Sequence, residues 1–78
     1  MKQIAWINVY HREYSMNEIT DDYLKNILNF IYRGGGYDQF LTVEKVADLF
    51  AEANRRGIKL RFNINSLIDA RFHSYKLN

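Results

Sequence analysis

Three kinds of side chain in these 78 residues are able to do chemistry: nine carboxylates, two histidines, and a short basic run made of Arg55, Arg56, Lys59 and Arg61. Paired carboxylates serve as general acid and base when their surroundings push their pKa values apart. Here Asp21 and Asp22 stand where a helix opens, and Glu44, Asp48 and Glu52 recur every four residues down one polar helix face. Both groups read as solvated charges favoured by a helix dipole or by water. His11 and His73 have no second ligand at helical or hairpin spacing, whereas a zinc site needs at least three convergent protein ligands. Ser15 and Ser66 lack a neighbouring histidine and occupy no nucleophile-type turn. The absence of cysteine removes thiolate nucleophiles, thiolate metal sites and disulfides together, and suits a reducing compartment. The residues therefore predict no enzyme, no metal and no cofactor.

Gly34, Gly35 and Gly36 invite a phosphate-loop reading, but such loops follow a strand and lead into a helix N-terminus, with a Lys and a Ser/Thr close behind. These glycines follow a helix and carry neither residue, so they predict a left-handed helix exit. The basic run is a different matter, because arginine is suited to planar contacts with phosphates. Residues 1–53 hold five Lys/Arg against eight Asp/Glu, and residues 54–78 hold six against one, within an overall net charge of +2. Arg55, Arg56, Lys59 and Arg61, with Arg71 and Lys76 placed near them, are thus a candidate surface for nucleic acid or a signalling nucleotide. The competing reading is a solvated helix end whose cations favour the dipole. Trp6 and Tyr10, beside Asn8 and Arg12, form a second candidate. Large aromatics outside the main core mark interfaces, and Trp6, Tyr10 and Arg12 are expected to bind a partner protein. The alternative is that the last helix covers this face.

The elements that must position these residues are legible from caps and periodicity. Residues 4–10 are β-branched and aromatic in the manner of a strand, and residues 13–16 return antiparallel across a turn at His11 and Arg12. That register places Val9 opposite Tyr14 and Ile7 opposite Met16, with Ala5, Ile7, Val9, Tyr14 and Met16 on the core side. Thr20 predicts an N-cap, Ile19 and Leu24 a hydrophobic staple, and Tyr23, Leu24, Ile27, Leu28 and Ile31 a buried stripe ending near Arg33. Thr42, flanked by Leu41 and Val46, opens a second helix whose apolar face is Val43, Val46, Ala47, Phe50 and Ala53 and which stops at Gly57. Ile58, Leu60 and Phe62 alternate with Lys59 and Arg61, which predicts a half-buried third strand beside the hairpin. Asn63 then caps a last helix, with Phe62 and Leu67 stapled and Ile64, Leu67, Ile68 and Phe72 facing inward. The expected fold is α+β, a three-stranded antiparallel-type sheet packed with three helices in the order ββααβα, spanning residues 1–78 as one domain.

Several of these residues resemble a group of short, largely uncharacterised bacteriophage and prophage proteins. Trp6 matches their opening tryptophan, and Tyr14, Met16 and Ile19 are similar to the step that follows their hairpin. Asp22, Tyr23, Leu24 and Asn26 resemble the helix entry, with Tyr23 in place of the usual histidine. Phe40 stands where an aromatic often opens the second segment, and Glu52, Ala53, Arg55, Arg56 and Gly57 resemble its ending. The resemblance covers residues 6–57 and brings no catalytic residues with it. It implies a phage accessory protein that binds a host macromolecule, in host takeover or in inhibition of a host defence system. A small virion or assembly component is a further reading. Residues 1–10 have no signal-peptide pattern and no stretch approaches a membrane span, so a soluble, unprocessed protein in the host cytoplasm is expected, away from membranes. A core this small makes homo-oligomerisation a further expectation.

Overall fold

Thr20 and Thr42 start the two long helices in the same way. The Thr20 hydroxyl accepts from the Tyr23 N–H at 3.2 Å and the Thr42 hydroxyl from the Lys45 N–H at 3.2 Å. Each satisfies a backbone donor that the first helical turn leaves without a partner. The computed structural model describes residues 3–72. In chain order its elements are β1 (Trp6–Ile7), β2 (Glu13–Tyr14), a 3-10 turn (Met16–Glu18), α1 (Asp21–Tyr32), α2 (Val43–Arg55) and α3 (Ile64–Phe72).

Both long helices end in the same hydrogen-bond pattern. After α1, the Gly34 N–H reaches the Ile31 carbonyl and the Gly35 N–H the Phe30 carbonyl, both at 2.9 Å. After α2, the Gly57 N–H reaches Asn54 at 3.0 Å and the Ile58 N–H reaches Ala53 at 2.9 Å. These are Schellman closures, which require a left-handed residue just past the cap. Gly34 and Gly57 supply it, with φ of +94° and +76°. α3 is capped by Asn63, whose side-chain oxygen accepts from the Ser66 N–H at 2.8 Å.

The core lies where α1 meets α2 and α3. Leu24, Ile27, Leu28 and Ile31 of α1 are buried against Val46, Leu49 and Ala53 of α2 and Leu67 of α3, with Ile19 and Leu41 sealing the two stapled entries. One correction concerns α2. Val43 is 48% exposed, and Leu49, absent from the expected stripe, is fully buried. Apolar residues span a wide arc of this helix, and the docking line of α1 and α3 selects its centre.

The expected three-stranded sheet and the order ββααβα are overturned: the sheet has two strands, and residues 58–62 form no ladder with it. Ile58, Leu60 and Phe62 do alternate inward, half-buried against the helices. Phe62 stacks on Tyr32 with ring centroids 4.3 Å apart and planes 10° from parallel. Alternation reports which side of an extended segment is buried. It does not report a hydrogen-bonding neighbour, and a ribbon of two residues per strand offers almost no edge to join.

The hairpin register is also corrected. Trp6 pairs with Tyr14 and Ile7 with Glu13, three positions away from the expected pairing. An odd displacement exchanges the two faces of a strand. Trp6, expected outside, is therefore in the core at 3% exposure, while Val9, expected inside, is 72% exposed. The ribbon lies on α1 through two edge-on ring contacts, Trp6 with Phe30 at 6.3 Å and Tyr14 with Tyr23 at 5.3 Å. Among the described residues no helix is long and apolar enough to cross a membrane.

Candidate functional site

The site grows from Asn8. Its side-chain oxygen accepts from the backbone N–H groups of Tyr10 and Arg12, each at 2.9 Å. Its carbonyl accepts from the His11 N–H at 2.9 Å, and its own N–H donates to the Arg12 carbonyl at 3.0 Å. Residues 9–11 thus form a three-residue hairpin loop, a tight turn followed by one left-handed residue. That residue is His11, with φ of +64°, the one non-glycine residue with positive φ among those described. Its ring rests against Tyr37 at 5.1 Å. Asparagine at such a position folds the chain back on its own side chain. The consequence is that Val9 and Tyr10, at the corner, point into solvent, Tyr10 at 86% exposure.

Between this loop and α1 runs a groove of about 370 Å³. Trp6 and Ile27 lie at its base, Val9 and Tyr10 rise on one side, and Tyr23 and Phe30 on the other, with Asn8, Asn26 and Arg33 supplying its polar atoms. A smaller hollow of about 140 Å³ continues past Val9 and Phe30 toward Gly36 and Tyr37. Phe30 and Tyr37 remain 36% and 39% exposed, so four large apolar side chains surround this one feature without being covered. Burial pushes the Tyr23 hydroxyl above its ordinary pKa, with a smaller opposing effect from hydrogen bonding to Trp6. The phenol stays protonated at neutral pH.

Of the expected partner-binding trio, Tyr10 and Arg12 are on the surface, and Trp6 is not. Trp6 shapes the groove from beneath. Arg12 lies over the Tyr14 ring, its guanidinium carbon 5.3 Å from the ring centre. Phe30, Arg33 and Tyr37 belong to the site and were missed, because each follows a helix stripe or a glycine loop whose path depends on packing. A signal for the loop was present in Asn8, the turn-forming residue nearest the hairpin reversal.

The basic run is dispersed by its own contacts. Arg55 donates to both oxygens of Glu52, at 3.0 and 2.5 Å, and Arg56 donates to the same carboxylate at 2.8 Å. Arg56 also reaches the Ile19 carbonyl, the Asp21 carboxylate and the Met16 carbonyl at 2.7, 2.9 and 3.0 Å. Arg55 and Arg56 hold the Glu52 carboxyl down to about 2. The charges of these four residues cancel, leaving Lys59 and Arg61 exposed as the local cations. Arg71 is elsewhere, buried among the carbonyls of Gly35 and Gly36 at 2.8 and 3.2 Å and the carboxylate of Asp38 at 2.5 Å. The glycines thus form a helix exit whose carbonyls are read by an arginine. Lys76 and His73 lie outside the described residues.

Other features offer less. A hollow of about 510 Å³ beside the N-terminal segment is lined by Ser15, Asn17, Lys45 and Asp48, among others. Lys45 is committed there to the Ile4 carbonyl at 3.1 Å, and the Ser15 hydroxyl to Asn17 at 2.7 Å. Among the described residues no three His, Asp or Glu side chains converge as a metal site would require. No family model, curated protein or solved structure matches this chain.

Proposed function

We propose that this chain is a non-enzymatic protein-binding module that acts by stoichiometric capture of a partner through the groove between residues 9–11 and α1. The observation that carries the reading is the uncovered cluster of Val9, Tyr10, Phe30 and Tyr37 around one concave feature. Uncovered apolar rings concentrated at one place, with a polar rim of Asn8, Asn26 and Arg33, are the composition of a protein interface. Tyr10 is the natural anchor, since a tyrosine contributes a large contact area for little conformational entropy. The loop that presents it is held by its own hydrogen bonds, so little ordering is needed on binding. The resemblance to short phage proteins supports a host macromolecule as the partner, blocked or redirected during infection. Capture by Arg55, Arg56, Lys59 and Arg61 of a nucleotide or nucleic acid has less support, because two of those four cations are committed to Glu52.

The test is retention of a discrete partner from bacterial lysate by the immobilised protein, compared with Tyr10→Ala and Arg12→Ala. Both residues are exposed, and both variants should keep the circular dichroism of the parent. Loss of the partner in Tyr10→Ala supports the assignment. Retention unchanged in both variants, or lost only in Lys59→Ala and Arg61→Ala, overturns it.

A further inference from the structure

We infer that the occupant of this groove is a short segment of a partner protein in which one or two large apolar side chains are flanked by carboxylates. The inference rests on the protein-binding reading above and specifies its ligand. Among the described residues, Arg33 is the only charged one lining the groove, and no carboxylate lines it. Arg12 stands on the adjoining surface, over Tyr14, whose ring meets the groove wall at Tyr23. Neither guanidinium has a carboxylate within ion-pair distance among the described residues. Arg55, Arg56 and Arg71 all do. Arg33 in the groove and Arg12 on the surface beside it are therefore cations with no carboxylate paired to them among the described residues, and charge of the opposite sign is what they attract.

The volume limits the apolar part. About 370 Å³ is near the lower end of the roughly 300–1,000 Å³ typical of ligand clefts, enough for one or two side chains of a peptide. Charge also argues against a second copy of this chain as the occupant. A two-fold contact centred on the groove would set two patches of the same positive sign, each holding Arg12 and Arg33, against each other, and like charges across an isologous interface repel.

The experiment is selection from a displayed library of random twelve-residue peptides, with the wild-type protein and Arg33→Glu as parallel baits and sedimentation of the unliganded protein alongside. Wild-type selection should enrich Asp and Glu beside Leu, Phe or Trp, and Tyr10→Ala should release the selected peptides. Arg33→Glu should weaken them by about tenfold, or about 1.4 kcal/mol, as an exposed attraction becomes a repulsion. Raised salt should weaken them as well. Enriched peptides that depend on Tyr10 yet carry neutral or basic flanks overturn the charge assignment and leave the protein-binding reading standing. No enriched peptide overturns both. A concentration-dependent dimer abolished by Tyr10→Ala replaces the peptide with a second copy.

Discussion

Trp6 is the residue whose position has the widest consequences. It is 3% exposed and forms both the base of the groove and part of the core. Its emission should be blue-shifted and weakly quenched by acrylamide in the native protein, shifting red on unfolding. Trp6→Ala should cost about 3–5 kcal/mol through the cavity it leaves, read as a fall in the urea midpoint. A loss of binding in that variant would report unfolding, whereas Tyr10→Ala isolates the interface. Glu52 contributes a pH dependence of stability. Arg55 first, and Arg56 second, hold its carboxyl at about 2, below its ordinary value of 4.5. Because the folded pKa is the lower one, the contribution is complete above about pH 4.5 and is lost as pH falls through about 2. Urea titrations from pH 5 to pH 2 should show that decline, and Glu52→Gln should flatten it.

The two Schellman closures make the same hydrogen bonds and have the same open space at their left-handed glycines, Gly34 and Gly57, whereas Gly36, two residues past the first closure, is enclosed. A Cβ on Gly57 would meet nothing within 4 Å, so Gly57→Ala should cost only the left-handed backbone term, about 1 kcal/mol. Gly36, with φ of +113°, has the Leu41 side chain 2.6 Å from a Cβ position, so Gly36→Ala should cost clearly more. Thermal melts of the two variants check the order. The helices were legible because their signals are local: Thr20, Thr42 and Asn63 bond within three residues, and the glycines close bonds within five. The hairpin was less so. Its register followed from Asn8 bending residues 9–11 into a loop, whereas a turn at His11 and Arg12 shifts the pairing by three and exchanges the faces.

Across the molecule, two arginines join segments far apart in the chain. Arg56 ties the end of α2 to the 3-10 turn and to the start of α1. Arg71 ties α3 to the glycine loop that leads to Tyr37, and so holds one rim of the candidate site. Arg71→Met keeps much of the side-chain volume and removes the donors to Gly35 and Gly36, for a cost of about 2–3 kcal/mol given that these bonds are charge-assisted. Arg71→Lys should recover part of it, since an ammonium cannot reproduce the planar fork. Asp38 is 87% exposed, and Asp38→Asn should cost little by comparison. Urea midpoints for the three variants check this ranking.

Much was written in the residues themselves: three capped helices, two glycine exits and the stapled pairs. Each of these depends on atoms within a few positions along the chain, where backbone geometry leaves few alternatives. The contacts across the chain were not written there. Whether residues 58–62 joined a sheet, whether Trp6 faced solvent, which carboxylate met Arg55 and Arg56, and where Arg71 went all depended on how α1, α2 and α3 docked. An amphipathic arc wider than its contact, an extended segment with two possible supports, and an arginine with several reachable acceptors each admit more than one arrangement. Packing chose among them, and the groove beside Tyr10 exists because of that choice.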